Sequence, residues 1–281
     1  MKDPKASFSA DWLRQREPFD AAARNGAAGR LRLPTRLSAL RPPQGVPWRV
    51  IDLACGTGAN LRWLAPVLGG EQEWLMLDHD AALLQRLPPA LSGPGFQART
   101  VRQRTDLAQH VDRLPWHAAH LVTASALLDL VGLAWLRQAL AHIAAARATV
   151  LFTLNVDGRH VWSPPEPGDA TVARLFRAHQ RRDKGFGPAL GADAIGVCRR
   201  ALRDAGYRVF TAPSDWWIDG RAGAPAVGLQ RALVDGMAAA ACEQGPQSSA
   251  LLRAWRERRA SVVGASCLRV GHVDLLALPP H

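Results

Sequence analysis

The stretch VIDLACGTGAN, residues 50–60, constrains the fold more than any other part of the chain. An apolar run ends in Asp52 and opens into a turn with glycines at 56 and 58, and a helix-compatible segment follows over 59–68. Short apolar runs of this kind suit strands buried on both faces of a parallel sheet. The pattern then repeats. WLMLD (74–78) reads as a strand, AALLQRL (81–87) as a helix, FQARTV (96–101) and HLVTAS (120–125) as strands, 133–146 as a helix and ATVLFTLN (148–155) as a strand. Alternation of strands and helices predicts an α/β fold with a parallel sheet and helices on both faces.

Outside this region the pattern loosens. Residues 8–40 read as helical and RPPQGVPW (41–48) as a breaker-rich linker. Residues 156–190 read as a Pro- and Gly-rich insertion with a helix over 170–182, followed by a helix over 191–207 closed by Gly206. YRVFTAPSDWW (207–217) is expected to form one strand, 224–262 two helices broken near Gly245, and CLRVGHVDLLAL (267–278) the last strand.

A strand, a glycine turn and a helix start together form a ligand-binding unit, because glycine lets a ligand approach the backbone and the helix offers free N–H groups. A dinucleotide fingerprint needs a third glycine, and position 61 is Leu61; a phosphate loop needs GK[ST], which is missing. A carboxylate at Asp52 disfavours a pyrophosphate and suits an amine or a sulfonium. Asp78, twenty residues past Gly58, can accept hydrogen bonds from both hydroxyls of a ribose. Asp106 follows the third strand and either faces an adenine amino group or caps a helix.

DLACGTG (52–58), with LDHD (77–80) and TDL (105–107), resembles the motifs of the class I S-adenosylmethionine-dependent methyltransferases. The resemblance covers about residues 48–155, and the final strand is similar to that family's antiparallel seventh. It implies a Rossmann-like, seven-stranded, mostly parallel sheet with an antiparallel last strand, helices on both faces and helical cap insertions. Residues 1–47 would be an N-terminal helical cap, and 48–281 the methyltransferase domain with insertions at about 156–190 and 218–264. S-adenosylmethionine is the implied cofactor. Ala54, Cys55, Gly56, Thr57 and Gly58 would wrap its methionine end with Asp52 near the ammonium. Asp78 and His79 would hold the ribose, Asp106 and Leu107 would flank the adenine, and Ser125 and Ala126 would line the path to the methyl group. An N-terminal arginine often meets the cofactor carboxylate in this family, which points to Arg16 or Arg24.

The acceptor is less legible. Three candidate cap segments suggest an enclosed small-molecule pocket. Asp129 is placed to face the reaction zone or to sit at a helix start, and His160 and His179 are candidate general bases, although ordinary loop or helix roles are the plainer reading of each. The Asn/Asp-Pro-Pro-aromatic signature of base-amine methylation does not follow the fourth strand, where Ser125 to Asp129 stand. The formal charge of +11 is almost all arginine and forms no dense tract with interleaved aromatics. Nucleic acid is thus a less favoured partner than a small molecule, with RNA methylation and a non-catalytic cofactor-binding subunit kept as alternatives. Cys55, Cys198, Cys242 and Cys267 form no CxxC, so neither a disulfide framework nor a metal site is expected. The N-terminus lacks the apolar core of a secretory signal, and 121–135 is too short for a span, so a cytoplasmic monomer or homodimer away from membranes is expected.

Overall fold

The computed structural model describes residues 8–280. β1 (Trp48–Leu53) is buried at five of its six positions, as its continuous apolar run requires. It pairs in parallel with β2 (Gly70–Asp78) on one side and β5 (Leu121–Ser125) on the other. β4 (Phe96–Arg104) continues the sheet beyond β2, and β6 (Thr149–Ser163) continues it beyond β5, both parallel. β9 (Cys267–Leu278) inserts antiparallel between β6 and β7 (Arg208–Pro213). These seven strands have the order β4-β2-β1-β5-β6-β9-β7.

Among the described residues the sheet has nine strands, two more than expected. β3 (Ala90–Gly93) forms an antiparallel hairpin with β4 at the edge, in a segment whose prolines and glycines hide a four-residue strand. The expected single strand over 207–217 is divided. β7 stops at Pro213, and β8 (Trp216–Asp219) pairs separately with the start of β9. Between them the Ser214 N–H still donates to the His272 carbonyl (2.9 Å), while the Ser214 hydroxyl donates to Asp274 (2.5 Å) and Asp215 accepts the His272 N–H (3.0 Å), so side chains take over part of the ladder at the break.

A second difference concerns residues 156–163. The sequence reads as the start of a loop-rich insertion, but β6 runs on to Ser163 against β9. Two register shifts, near Leu154 and Gly158, bend it. Leu154 is left-handed (φ 54°), and its N–H donates to Asp274 Oδ1 at 2.7 Å. The distal halves of β6 and β9, with β8, therefore extend past the carboxyl edge of the sheet.

Helices cover both faces. α3 (Ala59–Leu68) and α2 (Leu33–Ser38) bury Leu61, Leu64, Leu33 and Leu37 against Val50 and Leu276, with α4 (Ala81–Gln85) beside them. α6 (Leu133–Ala146) and α8 (Ala194–Asp204) bury Leu136, Ile143 and Leu202 against Val122 and Val150 on the other face, joined by α5 (Leu107–His110). A third apolar cluster lies over the strand extension. It joins α7 (Asp169–Gln180), α9 (Ala224–Gln244) and α10 (Ser249–Val262) through Val172, Leu229, Met237, Leu252 and Trp255. Arg259 locks this layer: its guanidinium is fully buried and pairs with Asp169, which also accepts from Trp255 Nε1 at 2.8 Å. α1 (Ala10–Arg30) is N-capped by Ser9, whose Oγ accepts from Trp12 N at 3.1 Å. Residues 1–7 of the expected N-terminal cap, with the terminus read for a secretory signal, lie outside the described residues. Among the described residues no helix is long and apolar enough to cross a membrane, and no group of three His, Cys, Asp or Glu is placed to hold a metal.

Candidate functional site

At the end of β1 the backbone turns through left-handed conformations at Ala54 (φ 52°), Gly56 (φ 55°) and Gly58 (φ 81°). Position 58 favours glycine, since its φ is left-handed and a Cβ there would lie 2.5 Å from Leu87 Cδ2 and force that side chain to shift. The Cys55 N–H donates to the Leu77 carbonyl (2.9 Å), which locks the turn to β2. Gly58 then starts α3 with no side-chain cap, so the first turn of that helix keeps free N–H groups.

Asp78 ends β2 and is buried. Its Oδ2 accepts the Gly56 N–H and its Oδ1 the Asp80 N–H, both at 2.9 Å, so one carboxylate fixes the glycine turn and the β2–α4 turn together. Asp106 caps α5 by accepting the Ala108 N–H (3.2 Å). Asp52 is buried beside the turn, and its Oδ1 accepts from Asn60 Nδ2 (3.1 Å). Its Oδ2 is buried without a hydrogen-bond donor. Burial lifts its pKa to about 7, against the opposing pull of Asn60 and Arg24.

These elements surround one cavity, with about 1160 Å³ of unfilled space when its open mouth is counted. Asp52, Ala54, Cys55, Gly56, Thr57, Asp78, His79, Asp106, Leu107, Ser125 and Ala126 all line it. α1 crosses above with Leu13, Arg16 and Asp20, and the loop after α7 contributes Lys184, Gly185 and Phe186 opposite Leu130. Arg16 Nε donates to Asp20 Oδ2 (2.9 Å), and its guanidinium lies 5.1 Å from the Trp216 ring, whose N–H donates to Asp20 Oδ1 (3.0 Å). Asp20, Asn60, Lys184 and Phe186 were given no cofactor role on sequence grounds. Asn60 carried the nearest signal, since it sits in the first turn of the helix after the glycines.

Five residues singled out in the sequence do not line the cavity. Gly58 lies behind the turn it completes. Arg24 is buried farther along α1, eight residues from Arg16, and does not reach the cavity. Eight residues carry it about 12 Å farther along the axis and about 80° around it, so repeated four-residue spacing does not give equal access. Asp129 is buried, with Oδ1 unbonded and its pKa lifted to about 6 by burial; its carbonyl accepts the Gly191 N–H (3.1 Å). His160 sits in β6, edge-on to Phe176 with ring centroids 5.3 Å apart, and burial pushes its pKa down to about 4. His179 lies 3.2 Å from Glu243 Oε2 between α7 and α9. The two histidines therefore lie outside the cavity.

No protein-family model matches the chain, and neither does any curated protein sequence. Among solved structures, the mycolic acid cyclopropane synthase CmaA1, crystallised with SAH and CTAB, is similar over 96% of this chain and 94% of its own, with TM-score 0.50 and 11% identity. A SAM-dependent methyltransferase from Archaeoglobus fulgidus aligns over 97% and 100% of the two chains with TM-score 0.41 and 13% identity. The YcgJ protein of Bacillus subtilis aligns over 88% and 97% with TM-score 0.45 and 11% identity. Strand order, the antiparallel β9 and the CmaA1 likeness agree: the chain has the Rossmann-like fold of the class I S-adenosylmethionine-dependent methyltransferases.

Proposed function

We propose that the chain is a methyltransferase that binds S-adenosylmethionine and transfers its methyl group to a small-molecule acceptor. The observation that carries this reading is the pair of buried carboxylates, Asp52 and Asp78, on either side of a left-handed glycine turn at the cavity. The donor set fits such a ligand. Asp52 Oδ2 is a buried acceptor without a donor, matched to an ammonium. Asp78 spends one lone pair of each oxygen on the backbone, which leaves capacity for two ribose hydroxyls. Arg16 and the free N–H groups that start α3 suit the amino-acid carboxylate. His79 lines the cavity beside Asp78, and Asp106 and Leu107 line it where the adenine would lie. Four acids, Asp20, Asp52, Asp78 and Asp106, line the cavity against two cations, Arg16 and Lys184, a balance that disfavours a pyrophosphate. CmaA1 itself was crystallised with SAH, the demethylated cofactor.

When bound, the cofactor supplies a methyl group on a sulfonium, a good leaving group. The chain's task is then to position and to exclude water. α1 roofs the cavity, and the segment around Phe186 closes the side near Ser125 and Ala126. A pocket enclosed in this way favours a small acceptor over a polymer such as RNA. Neither His160 nor His179 reaches the cavity, so no proton relay through them is proposed.

Calorimetry with S-adenosylhomocysteine tests the reading. Binding to the full chain is expected, with at least tenfold weaker affinity in folded Asp52→Ala and Asp78→Ala variants. Undiminished affinity in both would overturn it. Methyl transfer across an acceptor panel then separates the enzyme from a non-catalytic binding subunit.

A further inference from the structure

Arg24 is a buried cation in an unusual setting. Arg259, the chain's other fully buried arginine, pairs directly with the Asp169 carboxylate. The hydrogen bonds of Arg24 go only to neutral oxygens, the Asp20 carbonyl through Nε and the Asn60 amide oxygen through Nη1, each at 3.3 Å, and its guanidinium lies 5.0 Å from the Trp63 ring. Its Nη2 has no hydrogen-bond partner. A buried cation without a contact carboxylate is costly, so a purely structural role would favour a paired or apolar residue.

Asn60 explains the arrangement. An arginine can only donate and a carboxylate only accept, so the chemistry of its neighbours orients the amide. Its oxygen faces Arg24, and its nitrogen donates to Asp52 Oδ1 (3.1 Å) and to Thr123 Oγ1 (3.0 Å). The chain Arg24–Asn60–Asp52 thus holds one carboxylate oxygen and leaves the other, Oδ2, without a donor beside the cavity. Arg24 belongs to α1, whose Leu13, Arg16 and Asp20 form the cavity roof. Glu17 ties α1 to α3 separately, through two 2.7 Å contacts with Arg62.

We propose that Arg24 is a positioning residue: through Asn60 it holds Asp52 as an aimed carboxylate, so that seating of the N-terminal helix and readiness for the cofactor ammonium are one event. This rests on the cofactor reading above. The charges that bear on Asp52 are Arg24 from α1, which favours its ionised form, and Asp78 from β2, which opposes it. Asn60 from α3 and Thr123 from β5 are neutral, and the Cys55 thiol in the turn is itself pushed up by burial and by Asp52. Arg24 in turn is attracted by Asp20, Asp274 and Asp52 and repelled by Arg16, with burial the largest influence on it.

The test is the pH dependence of S-adenosylhomocysteine affinity in the full chain, between pH 6 and 9. Asp52 titrates at about 7. If Arg24→Met lifts that by about one unit, affinity falls roughly ninefold at pH 6, fivefold at pH 7 and negligibly at pH 9. Arg24→Lys should restore most of the loss. Glu17→Gln, which loosens α1 without touching the chain to Asp52, should not move the midpoint. Carbon-13 titration of the Asp52 carboxyl, assigned with Asp52→Asn, reads the same shift without ligand. If Arg24→Met does not fold, Asn60→Ser breaks the link while keeping the arginine, and the same upward shift is expected. An unchanged midpoint, or a loss equal at every pH and not restored by lysine, would overturn the inference. Wild-type protein that binds no S-adenosylhomocysteine would instead sink the cofactor reading, and the carboxyl titration would still decide the role of Arg24.

Discussion

Asp52→Asn should make the folded chain more stable at alkaline pH while it weakens the cofactor site. Burial raises the Asp52 pKa from 3.8 to about 7. An acid whose folded pKa lies above its unfolded value binds its proton more tightly when folded. Its contribution is therefore most favourable below pH 3.8 and is lost as pH rises to 7. Three units correspond to roughly 4 kcal/mol at pH 8. An amide keeps the Oδ1 acceptor for Asn60 but adds a buried NH₂, which costs about 1–3 kcal/mol if unpaired. The net expectation is a gain of about 1–3 kcal/mol at pH 8, or about 2–6 °C in Tm. Between pH 8 and 5 the advantage shrinks by about 3 kcal/mol and disappears. Thermal unfolding by circular dichroism at both pH values reads this, and calorimetry should show S-adenosylhomocysteine affinity down at least tenfold. A variant equally destabilised at pH 8 and 5, with cofactor affinity intact, would refute the assignment of Asp52 as a buried carboxylate held for a ligand.

Other outcomes follow from the same physics. Gly132→Ala would set a Cβ 2.4 Å from the Phe186 carbonyl oxygen, and backbone cannot swing aside as a side chain can. A loss of about 1–3 kcal/mol is expected in urea unfolding, with methyl transfer reduced more than cofactor affinity because the Lys184–Phe186 wall moves. His160 has its pKa depressed to about 4, so its stabilising contribution is present above its ordinary value of 6.5 and is lost as pH falls towards 4. His160→Gln should therefore narrow the stability difference between pH 7 and 5 by about 2 kcal/mol, measured by urea unfolding at the two pH values.

What the sequence determined by itself is local. The alternation from Trp48 to Ser125 reports strands buried on both faces, and the glycines at 56 and 58 report a left-handed turn, because both depend on side-chain pattern and backbone sterics over a few residues. The bounds of α3 and α6, and the gathering of Asp52, Asp78 and Asp106 at the carboxyl edge, follow from that periodicity. The tertiary structure decided the rest through partners distant in sequence. The segment 156–163 looks like a loop until β9 supplies its ladder bonds, and the strand expected over 207–217 divides because Asp215 and Asp274 meet groups more than 50 residues away. Arg16 and Arg24 are linked by four-residue steps on α1, yet only the packing of α1 against the rest of the fold sets one in the cavity and buries the other outside it, since sequence spacing fixes a side chain's direction but not its depth.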